Sequence, residues 1–367
     1  MGDSVDAVLG RAEPVPEPGT GRPRDQIAWQ LTEQACACQA MGSPLYADLL
    51  VNAAADVHAG GPVWSLLGDH VAPGRADALA LRFMSAVHRL VLDGRAPQLA
   101  AFYPSVGGTP QSDATWRAFR ATVEQHAAEI ADLLRRPCQT NEVGRAAALA
   151  VGYLEAAQRT GLPLALHEIG AAAGLNLRWD HFRYGGGGQS WGPAGSPVDL
   201  TGLWTSPPPV EGITASVAVR RGVDAAPVDP TTREGLLTLT AAVWADQPHR
   251  IARLEGAAQI ARRVPAELDT GDAADWVSER VAPASGVATV LSHSVVWEYL
   301  TSAAARQIEH ALARAGRSAT KSAPLAWVRL EPVSALRSHG LVVTTWPGGD
   351  ERVLATCGAH GSDVHAA

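Results

Sequence analysis

The sequence has almost no lysine: Lys321 is the only one in 367 residues, and arginine carries nearly all the positive charge. The net charge is −7 and the pI is near 5.9. A chain of this sign lacks the basic face that a phosphate backbone requires, which argues against nucleic acid as a partner. Cysteine is scarce as well. Cys36, Cys38, Cys138 and Cys357 form no C-x-x-C pair and have no paired-histidine spacing, so a disulfide framework and a structural metal are both unexpected. No apolar run approaches the length of a membrane span. The opening stretch MGDSVDAVLGRAEPVPEPG is acidic and does not read as a signal peptide, so the expected location is cytoplasmic. Also absent are a G-x-S-x-G elbow, a Walker loop, an H-E-x-x-H helix and an EF-hand loop.

What remains is an ordinary globular composition, 46% hydrophobic and 18% charged, at a length that suits two domains. Abundant Arg, Ala and Gly read as high-GC codon bias. Residues 1–24 are dense in Pro, Gly and Glu and read as a loose tail. Residues 25–161 read as all-helical. Ile27, Leu31, Cys38 and Met41 recur at helical spacing, as do Leu79, Phe83, Val87 and Leu90. Thr115–Leu134 reads as one long helix, and Asn141–Ala157 as another with Asn141 as its N-cap. From residue 162 to the end, short apolar runs alternate with helical stretches, the α/β signature. Strands are expected at Leu164–Glu168, Val217–Arg221, Arg263–Leu268, Val287–Ser292 and Leu325–Leu330. Leu341–Trp346 and Arg352–Thr356 would close the chain as a hairpin around Pro347–Asp350. Residues 178–214, rich in Gly, Pro and Trp, read as an insertion or lid.

The sharpest local pattern is LPLALHEIGAAAGLNLRW at 162–179: a strand, Glu168, Gly170, Gly174, then a helix start. A nucleotide-type ligand must approach the backbone after the first strand, so side chains must vanish there. For S-adenosylmethionine the acidic Glu168 would lie near the methionyl amine. The usual methyltransferase loop has a third, middle glycine; here that position is Ala172, which crowds the loop. Asp224 follows the second strand, where Rossmann proteins hold ribose hydroxyls. Asp272, in Gly271-Asp272-Ala273, follows the third, where an aspartate would read the adenine amino group. Each aspartate could equally cap the next turn. Three such features in order point to a class I methyltransferase-like Rossmann sheet of about seven strands, with a terminal antiparallel hairpin and a preceding helical region. A dinucleotide oxidoreductase fits less well, since only Asp199 offers an acidic residue at a suitable distance.

On the substrate side, His293 follows the fourth strand and is the candidate general base, with a structural histidine as the alternative. Glu331 ends the fifth strand at the same edge. Asn141 and Glu142 form a polar cluster beside Arg145, which suits a ligand carboxylate. Tyr103, in YPSVGG, would belong to a mobile cover. Arg178 and Trp179, with Asp180, Arg183 and Tyr184, would line the insertion.

Nearly the whole chain, from about Ile27 to His360, resembles the domain-of-unknown-function family 2332. The matching stretches are Cys38–Tyr46, YPSVGG, Gln139–Ala148, His167–Trp179, Arg220–Pro230, His293–Tyr299 and Trp346–Arg352. The resemblance implies one continuous module and no assigned activity. The expectation is therefore an S-adenosylmethionine-dependent methyltransferase of a small molecule, without nucleic-acid or membrane partners. The alternatives are a related fold repurposed for hydrolysis or elimination, or a non-catalytic binding subunit.

Overall fold

Proline opens several of the helices in this chain, and glycine in a left-handed turn closes some of them. The structure, a computed structural model, describes residues 23–70, 78–206, 210, 212–333 and 338–367. The expected tail at 1–24 lies outside the described residues as far as 22, and Pro23 opens the first helix. The chain divides into two units. One takes residues 23–140 with Thr232–Ala252, and the other takes Asn141–Thr231 with Arg253–Ala367.

The first unit is helical: α1 (Pro23–Ala40), α2 (Pro44–Ala59), α3 (Pro62–Leu67), α4 (Leu79–Leu92), α5 (Pro97–Ala100), α6 (Ser112–Gln125) and α7 (Ala127–Leu133). The apolar residues expected on one face of α4, Leu79, Phe83, Val87 and Leu90, are all buried. The single helix expected over 115–134 is two, broken at His126, whose backbone leaves the helical region at φ −112°, ψ 22°. The segment 232–252 belongs here for a concrete reason. Asp246 accepts from Ser43 Oγ at 2.6 Å and from Leu45 N at 3.0 Å, which caps α2, and Trp244 packs on Tyr46.

The second unit begins with α8 (Ala146–Thr160) and is built on eight strands: β1 (Leu164–Ile169), β5 (Val217–Asp224), β6 (Glu267–Thr270), β7 (Ala288–Ser294), β8 (Leu325–Val333), β9 (Ser338–Trp346), β10 (Asp350–Cys357) and β11 (His365–Ala366). The insertion contributes β2 (Arg183–Gly186), β3 (Gln189–Trp191) and β4 (Asp199–Trp204), which form a separate three-stranded sheet. Four more helices follow in the chain: α9 (Arg233–Ala241) in the helical unit, α10 (Pro248–Ala261), and then α11 (Ala273–Arg280) and α12 (Ser302–Ser318) in the sheet unit. The main sheet runs β6-β5-β1-β7-β8-β9-β10-β11. It is parallel from β6 to β8 and antiparallel from there on. The expected closing hairpin is present as β9–β10. The expectation of about seven strands is exceeded by β11, and β9 pairs directly with β8.

Strand parity assigns the two faces. Glu168 and Ser292 are register partners on one face, which α8 covers. His167, Ile169 and Leu291 point to the other, where α11 and α12 lie and where Trp276, Val277, Ile308 and Leu312 complete an apolar core. The helix α8 approaches closely because Gly152 has no side chain: a Cβ there would stand 2.7 Å from Val328 Cγ1. This contact explains why the boundary falls at 141 and not at 162, since α8 packs on the sheet. Among the described residues, no helix is long and apolar enough to cross a membrane. Replacing Gly152 with Val overpacks this contact and is expected to cost about 1–3 kcal/mol. A urea melt should show a lower midpoint with an unchanged slope.

Candidate functional site

In an open parallel sheet a ligand crevice lies where the strand order reverses, outside the carboxyl ends of the strands. Here the chain leaves β1 for β5 and β6 on one side and returns to β7 on the other. The loop after β1 therefore sits at that crevice.

Gly170, Ala172 and Gly174 all take left-handed backbone, at φ of 62°, 51° and 62°. Ala172 thus holds the conformation that the missing middle glycine would take, at a steric cost of about 1–2 kcal/mol for its Cβ. The loop's backbone N–H groups are tied down within the protein. Ala171 N donates to Val223 O, Gly174 N to Ala171 O, and Ala172 N to Asp224 Oδ2 at 2.9 Å. Ala173 N and Leu175 N both donate to Asn141 Oδ1, at 3.2 and 3.0 Å. Asn141 is therefore not a helix N-cap. α8 begins at Ala146, after a 3-10 turn capped by Glu142, whose carboxylate accepts from Gly144 N. Arg178 clamps the far side of the loop by donating to Gly174 O and Val264 O, both at 2.7 Å. Above Gly170 the space is filled, since a Cβ there would meet Val296 Cγ2 at 2.4 Å.

Glu168, at the end of β1, is 3% exposed, and its Oε2 has no hydrogen-bond partner. Burial pushes its carboxyl up to about 8; Asp224 adds to the rise, while Arg178 and Arg145 oppose it. Over the same face lies Tyr153 of α8, fully buried, its ring 5.3 Å from that of Trp179. The Tyr153 hydroxyl approaches Ser292 without hydrogen-bond geometry, and both it and Trp179 Nε1 lack partners. Tyr153 and Ser292 were not expected. Ser292 was legible by parity, two residues along from Val290 on the face shared with Glu168. Tyr153 lies in an Ala-rich helix and carries no motif.

His293 lies on the opposite face from Glu168, because it follows Ser292 by one residue. Its side chain is wholly buried. Nδ1 is 2.5 Å from Glu331 Oε1, and Nε2 accepts from Trp327 Nε1 at 3.1 Å. Trp297 stacks on the ring at 5.0 Å. With both nitrogens engaged, this geometry is that of a structural histidine, and it does not leave Nε2 free to take a substrate proton. Glu331 also accepts from Val296 N and Trp297 N. It thereby fixes a turn in which Val295 holds φ 54°, an uncommon conformation for a β-branched residue.

The remaining candidates are dispersed. Asp224 accepts from Ala226 N as well as from the loop. Asp272 is exposed and caps α11, its Oδ1 accepting from Ala274 N and Asp275 N. Arg145 donates to Ala359 O and Ser294 O, which ties strand ends together. Tyr103 is buried in the helical unit beside His88. In the insertion, Asp180 pairs with Arg220 through two contacts of 2.8 and 2.6 Å, and Tyr184 donates to Trp179 O at 2.6 Å. The cofactor-side candidates Glu168, Gly170, Gly174 and Asp224 thus come together with Asn141 and Arg178; Asp272 follows Gly271, whose N–H donates to Asp224 O, His293 lies on the other face of the sheet, and Tyr103 belongs to the helical unit. Among the described residues, no three His, Cys, Asp or Glu side chains cluster as a metal site.

No curated protein and no solved structure matches the chain. The family model described as "Uncharacterized protein conserved in bacteria (DUF2332)" matches residues 28–365. With that match spanning nearly its full length, the chain belongs to the DUF2332 family.

Proposed function

We propose that this protein binds S-adenosylmethionine at the carboxyl ends of β1 and β5 and methylates a small molecule. The observation that carries this reading is the combination of a glycine loop whose N–H groups from Ala171 to Leu175 are internally satisfied with an unpartnered buried carboxyl beside it. A pyrophosphate needs free N–H donors at such a loop. Ala172, Ala173 and Leu175 have given theirs to Asp224 and Asn141, which disfavours a dinucleotide. A ligand without phosphate, carrying positive charge, suits a loop flanked by Glu168 and Asp224. The left-handed Ala172 preserves the glycine-type backbone course that close approach of the ligand requires.

Glu168 and Asp224 would hold the ligand, with Gly170 and Gly174 allowing the backbone near it. Bound adenosylmethionine supplies a methyl group activated by its sulfonium. The chain's own contribution is positioning and exclusion of water. Val296, packed over Gly170, narrows the approach, and it favours as a second reading a related fold turned to another reaction. Titration separates the two.

Glu168 gives the test a pH signature. Its carboxyl is protonated below about 8 in the free protein, and a cation beside it draws the proton off. Adenosylmethionine affinity, measured by calorimetry, should therefore rise from pH 6.5 to 8.5 and binding should release a proton. Glu168→Gln should remove both effects. Absence of binding at millimolar ligand overturns the reading.

The same shift makes stability pH-dependent. Glu168 is raised above its ordinary 4.5, so its contribution is fully present below 4.5 and is lost as pH rises to about 8. Glu168→Gln should flatten the denaturation midpoint across that window, the variant gaining on the wild type toward pH 8. Ala172→Gly relieves the left-handed alanine and should raise stability by up to about 1 kcal/mol in urea melts.

A further inference from the structure

We propose that Tyr153, Trp179 and Glu168 form a recognition site for the hydroxyl group of a small uncharged ligand, an alcohol or a phenol. Each of the three is at least nine-tenths buried, at 0%, 2% and 3% exposed, and each has a polar atom without a partner: the Tyr153 hydroxyl, Trp179 Nε1 and Glu168 Oε2. Native interiors rarely leave one such atom unpaired, and three in one neighbourhood mark a missing partner. The Tyr153 and Trp179 rings are 5.3 Å apart, inclined by 38°, and Tyr153 lies within electrostatic reach of Glu168.

The set defines the partner's chemistry. Indole N–H only donates, the phenol can donate, and the carboxyl can accept. A hydroxyl oxygen accepts two hydrogen bonds and gives one, which complements all three at once. Burial keeps the Glu168 carboxyl largely neutral at neutral pH, consistent with an uncharged ligand. The two aromatic rings supply an apolar wall for the ligand's body. The position is also that of a ligand site, at the carboxyl end of β1 where the strand order reverses. The Tyr184 hydroxyl donates to Trp179 O and so holds the indole's backbone in place.

The site does not depend on adenosylmethionine, and its test is run on the full chain without it. Calorimetry with phenol and with anisole compares a probe that can donate and accept with one that only accepts. Phenol is expected to bind in the millimolar range, anisole at least tenfold more weakly. Tyr153→Phe should weaken phenol binding three- to tenfold while leaving the urea midpoint unchanged or higher, because the hydroxyl it removes has no partner. Equal binding of phenol and anisole, or phenol binding unaffected by Tyr153→Phe, overturns the proposal. Absence of phenol binding together with a lower midpoint for Tyr153→Phe assigns the three atoms to an enclosed water and overturns it as well. Failure of adenosylmethionine to bind leaves this result standing, so the two readings fail separately.

Discussion

The candidate site depends on where the backbone N–H groups of one loop go. After β1 the chain turns through three left-handed residues in five, Gly170, Ala172 and Gly174. Such a turn cannot satisfy its own donors by regular structure, and buried donors left unpaired would each cost about 1–3 kcal/mol. Asn141, from before α8, and Asp224, from the end of β5, reach in to accept them. These two side chains join three separate stretches of sequence at one point. Arg178 closes the assembly from the other side by donating to Gly174 O. The loop is therefore a rigid floor, and its chemistry toward a ligand comes from the neighbouring carboxyl and from its closeness, with little from its N–H groups.

Two buried polar groups then occupy opposite faces of the same sheet. His293 and Glu331 pair among Trp297 and Trp327 on the α11 and α12 side. Their partners are complete, and the role this suggests is mechanical. Glu331 holds the turn after β7, which carries the strained Val295 and sets Val296 on Gly170. On the α8 side, Glu168, Tyr153 and Trp179 are incomplete. A complete network stabilises its surroundings, while an incomplete one is where a ligand gains most.

Much of this was legible in the sequence. The apolar run Leu164–Glu168 followed by spaced glycines locates β1 and its loop, and the closing strands show as runs around Pro347–Asp350. What was hidden has physical causes. The strand at Glu267–Thr270 is short and half-exposed, so the expected position at 263–268 was early. The insertion's strands contain Gly185 and Gly186, which carry no apolar alternation to read. The helix break at His126 has neither Gly nor Pro to announce it. Asn141 has the residue type and position of a helix cap, and nothing local reveals that its acceptor is used across space by residues more than thirty positions away. That His293 faces away from Glu168 follows from parity alone. Glu168 pairs with Ser292, so the next residue along β7 must point the other way.

Parity also explains why α8 matters to the site. Once Glu168 and Ser292 face one side, any group that meets them must come from the helix covering that side. Gly152 lets α8 settle onto Val328 and Val343 at a distance that any side chain there would prevent. Tyr153, the next residue, is thereby carried down to the carboxyl end of β1 and against Trp179. A single methyl group at position 152 would lift the helix or push Val328 aside, and the Tyr153 hydroxyl would move with it. The packing of the fold and the geometry of its incomplete polar cluster are thus set by the same close contact, and a change made for one must be felt by the other.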